Sequence, residues 1–208
     1  DAALRAALHE LNVDSTIQGV IVMLPLPAPL RAVTVAEQLD PDKDVDGITS
    51  ANAGRLVLGA PGLFPCTPSG GVELLKRSGV QLAGQEAVVV GRSTIVGKPL
   101  ALMLLAEHAT VTLCHTRTRD LADVCRRADL LCAAVGKPGL IKPEWIKPGA
   151  TVIDFGTEPD EDGKLVGDVD PGVAEVAGTL SAIPGGTELM TTAMLLRNTL
   201  EAARRQDR

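Results

Sequence analysis

The chain has 208 residues, 45% of them hydrophobic and 22% charged, with a formal charge of −6. One Trp, two Phe and no Tyr give no stacking platform, and the acidic balance gives no basic footprint; both argue against nucleic acid as a partner. No apolar run reaches the roughly 20 residues of a membrane span and no signal peptide is expected, so the expected location is the cytoplasm, away from membranes.

The first residues, DAALRAALHELNVD, start in mid-helix without a Met or a cap, which reads as a piece of a longer protein. Leu4, Leu8 and Leu11 recur at helical spacing. Val20–Leu24 is an apolar run that reads as a buried strand ending at Pro25 and Pro27, because proline cannot donate to a ladder. A helix is predicted around Thr34–Leu39, followed by a polar, turn-rich stretch from Asp40 to Gly54. The Gly and Pro residues of Gly59–Gly62 and Pro65–Pro68 suggest a hinge. Thr67 is placed to cap the next helix, with Pro68 at its first position.

From there the pattern is regular. Apolar strands are predicted at Ala87–Val90, Thr110–Cys114, Asp129–Val135 and Thr151–Phe155. Helices are predicted over PLALMLLAEH, Leu121–Ala128 and Thr191–Arg204. Short apolar strands alternating with helices define an α/β fold, a Rossmann-like parallel sheet covered on both faces. Cys66, Cys114, Cys125 and Cys132 form no CxxC pair and have no His at ligand spacing. They read as small apolar fillers in a reducing compartment, and no metal site is expected.

The loop after Ala87–Val90 is Gly91-Arg-Ser-Thr-Ile-Val-Gly97-Lys-Pro99. Its spacing is not GxGxxG, yet its parts suit a dinucleotide: Gly91 for a tight turn, Gly97 for close approach, Pro99 in a first helical turn, and free N–H groups facing an anion. A plain strand-to-helix turn is the alternative. The second strand ends in Cys114-His-Thr-Arg-Thr118, with no Asp or Glu between Glu107 and Asp120. An NAD site usually offers an acid there for the ribose 2′-OH. Hydroxyls and guanidinium groups, with Arg92 joining them, suit a 2′-phosphate and so favour NADP.

GRSTIVGKP, PDKDVDG, PCTPSG, VIVMLPLP and the late IPGG–MT segment, in this order and spacing, resemble the methylenetetrahydrofolate dehydrogenase/cyclohydrolase family over essentially the whole chain. The family's first quarter has no counterpart in these residues, and with it goes the Tyr-x-x-x-Lys helix that carries the catalytic lysine. The resemblance implies a smaller α/β substrate domain at 1–65, an NADP-binding domain at 66–189 and a terminal helix, 190–208, packing back on the first. It implies a homodimer with the active cleft between the domains. It implies NADP held by Gly91, Arg92 and Ser93, with Thr116 near the 2′-phosphate and Thr157 near the nicotinamide. Folate is expected along Val22, Met23 and Leu24, at Asp46, and along Pro184, Gly185, Gly186, Thr187 and Glu188. The implied reactions are hydride transfer from 5,10-methylenetetrahydrofolate to NADP, then hydrolysis of the methenyl product to 10-formyltetrahydrofolate.

Asp46 has a local alternative as a turn-capping residue beside Gly47; on the family reading its carboxylate takes the N–H donors of a pterin edge. Three departures stand out. Met23 takes the place of a Gln that supports the lysine, Glu188 and Leu189 replace Gly and Pro of the family's PGGVGPMT, and Thr157 replaces an Ile. Dehydrogenase chemistry is therefore expected to be retained more readily than cyclohydrolase. Two rival readings are an NADP-dependent reductase of another imine or iminium, and a non-catalytic paralogue that kept the fold.

Overall fold

A computed structural model describes residues 2–207. The chain divides into two compact units, Asp1–Cys66 with Thr192–Arg208, and Thr67–Thr191.

In the first unit, helix α1 (Ala2–Val13) turns Leu4, Leu8 and Leu11 onto a small core with Val20, Val35 and Leu39. The strand expected at Val20–Leu24 does not form. Val20 alone bridges, in parallel with Asp44, through Val20 N to Lys43 O at 2.7 Å and Val45 N to Val20 O at 3.4 Å. Beyond it the chain is extended with alternating exposure: Val22 and Leu26 pack on the core while Ile21 and Met23 are 42% and 73% exposed. An unbroken apolar run suggests a strand buried on both faces; here only every second side chain has a core to enter, and no ladder partner extends past Val45.

Helix α2 (Ala32–Ala36) begins and ends earlier than the predicted Thr34–Leu39, with turns over the last residues. The stretch read as turns, Asp40–Gly54, in fact runs into a third helix, α3 (Ser50–Leu58). Thr49 Oγ1 caps it by accepting Asn52 N at 3.3 Å, and Gly59 ends it at φ +66°.

The second unit opens within α4 (Cys66–Arg77), which starts one residue before Thr67, so Thr67 and Pro68 lie inside its first turn rather than at its cap. The missing N–H of proline is harmless there. The sheet follows: β1 (Glu86–Val90), α5 (Gly97–Ala106), β2 (Thr110–Cys114), α6 (Leu121–Cys125), β3 (Leu130–Ala133) and β4 (Thr151–Asp154). A two-residue hairpin, β5 (Glu158–Pro159) with β6 (Leu165–Val166), occupies the acidic stretch after β4. A fifth sheet strand not foreseen in the sequence, β7 (Thr179–Leu180), completes the order β2-β1-β3-β4-β7 with every pairing parallel. Helix α7 (Thr187–Gln206) is longer than the predicted Thr191–Arg204 at both ends, whereas α6 and the strands β3 and β4 stop short of their predicted limits.

Two separate cores flank the sheet. Val88, Val90, Leu131, Ala133 and Val152 face one, closed by α6 through Val124 and Cys125. Ala87, Val89, Leu130, Cys132 and Ile153 face the other, closed by Leu100 and Leu104 of α5. The alternation follows from the two-residue period of a strand, and burial on both faces is why β1 and β3 read as continuous apolar runs. All four cysteines are free and buried.

Candidate active site

In the second unit the loop from β1 to α5 has the geometry its glycines require. Gly91 sits at φ +129°, and a Cβ there would stand 2.0 Å from Ala134 O. A Cβ on Gly97 would stand 2.0 Å from Gly91 O, so the loop packs on the end of β3 at Gly91 and on its own backbone at Gly97 only with hydrogen at both positions. Ser93 Oγ accepts Val96 N at 3.1 Å and Gly97 N at 3.3 Å, which fixes the entry to α5. Among the described residues no backbone hydrogen bond is donated by Arg92, Ser93, Thr94 or Ile95. These N–H groups lie beside the positive end of the α5 dipole, an arrangement that suits a pyrophosphate.

At the end of β2, His115 N donates to Thr118 Oγ1 at 2.9 Å and Arg117 N to His115 Nδ1 at 3.1 Å. This tight turn leaves Thr116 and Arg117 exposed, and Arg92 is exposed on the adjacent strand's loop. β1 and β2 are neighbours in register from Glu86–Thr110 to Val90–Cys114, so the two strand ends emerge side by side. A cradle that any Cβ would fill, next to Arg92 and Arg117, which have no ion pair with a carboxylate among the described residues, fits a phosphorylated dinucleotide.

The ends of β3 and β4 are organised by two buried carboxylates. Asp168 Oδ2 accepts Val135 N at 2.6 Å and Gly136 N at 3.2 Å, and its Oδ1 accepts Lys137 N at 2.6 Å. Asp154 Oδ1 accepts Gly156 N at 2.8 Å, and its Oδ2 accepts Val169 N at 2.9 Å. Burial raises the Asp154 pKa above the ordinary carboxylate value, and the backbone donors pull it partly back. Thr157, exposed just past this turn, is held by the Gly156 bond, and Thr187 Oγ1 donates to Asp154 O at 3.0 Å. Thr157 and the start of α7 are therefore gathered around Asp154. Pro184 and Gly185 are exposed, whereas Gly186 is buried with no room for a Cβ, which would lie 2.3 Å from Ala182 O. Glu188, the second residue of α7, folds back so that its Oε1 accepts Gly185 N in the turn before the helix.

In the first unit the charged residues of PDKDVDG divide their tasks. Lys43 is buried, and its Nζ donates to Leu11 O, Asn12 O and Asp14 O at 2.7–2.9 Å, capping the end of α1. Asp44 is fully buried and accepts Ile48 N at 3.1 Å, Thr49 N at 2.9 Å and Asn52 Nδ2 at 3.0 Å. The turn-capping role open to Asp46 in the sequence belongs to Asp44. Asp46 is half-buried, and its pKa is raised by burial, opposed by hydrogen bonds from Cys66 and reinforced by the Asp44 carboxylate. The Cys66 thiol is itself pushed up to about 12 by burial and by Asp46, so it stays protonated. Val22, Met23 and Leu24 follow the bridge that sets Val20 beside Asp44, with Met23 on the exposed side.

Two residues went unread in the sequence, Asp168 and Asn198. An acid in a Gly-Asp-Val-Asp run and an Asn inside an amphipathic helix look solvent-facing; only their distant partners reveal them. Among the described residues no group of potential metal ligands gathers, and no helix is long and apolar enough to cross a membrane.

The parallel sheet and its glycine cradle define a dinucleotide-binding protein of the Rossmann type. The family model for the NAD(P)-binding domain of tetrahydrofolate dehydrogenase/cyclohydrolase matches residues 65–207, and the model for its catalytic domain matches residues 1–46. The chain belongs to the tetrahydrofolate dehydrogenase/cyclohydrolase family. It is 54% identical over 206 residues to the bifunctional protein FolD of Roseiflexus sp. (strain RS-1), covering 99% of this chain and 72% of that one. The solved FolD of Campylobacter jejuni matches with a TM-score of 0.95 at 42% identity, over 98% of this chain and 73% of that one. The Trypanosoma brucei FolD, solved with NADP cofactor and inhibitor, matches with a TM-score of 0.93 at 40% identity, over all of this chain and 73% of that one.

Proposed function

We propose that the protein is an NADP-dependent 5,10-methylenetetrahydrofolate dehydrogenase. A hydride leaves the methylene carbon for the nicotinamide, giving NADPH and the methenyl cation, which the folate nitrogen lone pairs stabilise. The family's cyclohydrolase reaction then adds water to that carbon, breaks a ring C–N bond and releases a proton, giving 10-formyltetrahydrofolate. The observation that carries the reading is the intact cradle at Gly91 and Gly97 in a chain of this family.

Bound NADP supplies the hydride acceptor; the protein's own residues position it and the folate. On this reading Gly91, Arg92 and Ser93 take the pyrophosphate, Thr116 with Arg92 meets the 2′-phosphate, and Thr157 borders the nicotinamide. Asp46 receives the pterin N–H donors, and Val22, Met23, Leu24 and Pro184 to Glu188 line the folate. A thioether at Met23 accepts weakly and cannot donate, so the hydrolytic step is the weaker of the two. A cytoplasmic homodimer completes the reading, in keeping with four buried, unpaired thiols in a reducing compartment.

The test is NADPH formation by the purified protein with NADP and methylenetetrahydrofolate. Reduction with small cyclic amines and none with the folate would identify the rival reductase; no NADP binding at all would identify a non-catalytic paralogue.

A further inference from the structure

Asn198 lies on α7, 7% exposed, and its side chain reaches segments more than a hundred residues earlier in the chain. Its Nδ2 donates to Val45 O and to Phe64 O, both at 2.9 Å, and stands 3.5 Å from Cys66 Sγ. Cys66 Sγ lies 3.3 Å from the same Val45 O. Val45 is the residue before Asp46. On the other side of Asp46, Gly47 sits at φ +64°, and a Cβ there would lie 2.5 Å from Phe64 C and 2.6 Å from Pro65 N.

One amide therefore ties two strips of backbone together: the turn that carries Asp46, and the 64–66 segment, whose Cys66 Sγ donates to the same Val45 O. Satisfying two buried carbonyls is a sufficient local reason for an Asn. It does not account for which carbonyls they are. Val45 precedes Asp46, and the Phe64 carbonyl carbon packs on Gly47, which follows it; of the acids of PDKDVDG, Asp44 holds the start of α3 and Asp42 pairs with Arg55 at 3.3 Å, so neither task falls to Asp46.

We propose that Asn198 is a positioning residue for Asp46: its amide sets the direction of that carboxylate and so the binding of the folate's pterin edge. The inference rests on the reading of Asp46 as the pterin-binding acid. A carboxylate that must accept two parallel N–H groups tolerates little rotation, so losing the clamp weakens folate binding and leaves NADP binding alone.

The test is steady-state kinetics of Asn198→Leu, which removes both donors at similar volume, and of Asn198→Ser, which can restore one donor. Asp46→Asn and the double variant complete the set. Asn198→Leu is expected to raise the KM for methylenetetrahydrofolate at least tenfold, with the NADP dissociation constant within twofold of wild type and Asn198→Ser in between. Added to Asp46→Asn, the Leu substitution is expected to change that KM by less than twofold. An unchanged folate KM in folded Asn198→Leu overturns the proposal, as does full additivity in the double variant. Failure of both Asn198 variants to fold also overturns it, since Asn198 would then hold the whole unit rather than Asp46. A wild-type folate KM in Asp46→Asn would instead reject the reading of Asp46; a raised KM there beside normal Asn198 variants would reject only the clamp.

Discussion

Asp154 Oδ1 accepts the backbone N–H of Asp168 at 3.1 Å, so the acid that holds the loop after β3 is itself held by the acid that ends β4. Asp168→Asn keeps the shape but replaces one acceptor oxygen by a donor facing a backbone N–H. Leaving a buried donor unsatisfied costs about 1–3 kcal/mol. Urea unfolding is expected to show a loss in that range, and the KM for NADP is expected to rise, because the loop over Val135–Lys137 loosens. Unchanged unfolding would show that the loop holds without Asp168.

Asp46 sets the acid side of the pH profile. Burial raises its pKa above 3.8, and only the ionised form can accept two pterin N–H groups. The kcat/KM for methylenetetrahydrofolate should therefore fall on acidification with a midpoint above that value, and Asp46→Asn should lack this limb. The sign for stability is opposite. The folded state binds the Asp46 proton more tightly than the unfolded chain, so this group's stabilisation is complete below pH 3.8 and is lost as pH rises through the folded value. Asp46→Asn should thus be more stable than wild type near neutrality, with the gain shrinking toward pH 4. Denaturant midpoints at several pH values would measure it.

Gly97→Ala tests the cofactor cradle. Its methyl would stand 2.0 Å from Gly91 O, a backbone atom that has no rotamer to escape into. Forced overpacking costs about 1–3 kcal/mol or more. Thermal unfolding should drop, and NADP affinity should fall at least tenfold in a titration. Near-wild-type NADP binding would mean that the cofactor does not use this loop.

Met23→Gln tests the departure on the folate side. Met23 is 73% exposed, so the change in stability should stay within about 0.5 kcal/mol. The dehydrogenase rate should change little while less methenyl product accumulates per NADPH formed. Equal accumulation in both proteins would show that a thioether serves here as well as an amide.

The cofactor half of the fold was legible because its central strands β1 and β3 are buried on both faces and carry their signal in runs of at least four consecutive apolar residues. The first unit was harder to read. Val20–Leu24 has the composition of such a strand but only one bridging residue, because the available core lies on one side of it. Helix α3 was hidden by the polar and glycine residues of SANAGRLVL, although its caps, Thr49 and Gly59, were readable signals. The glycine cradle followed from the spacing of Gly91 and Gly97. Asp168 and Asn198 did not, since the groups they hold lie 31–33 and 132–153 residues away.

Lys43 and Asp44 carry opposite charges side by side, and each is buried against partners of one kind: carbonyl oxygens around the ammonium, N–H groups around the carboxylate. Exchanging the two residues would leave composition, net charge and local polarity untouched. It would also aim an anion at three carbonyls and a cation at the start of a helix, reversing the field at both ends of the turn. The order of these two letters, and not their presence, is what this part of the chain inherits.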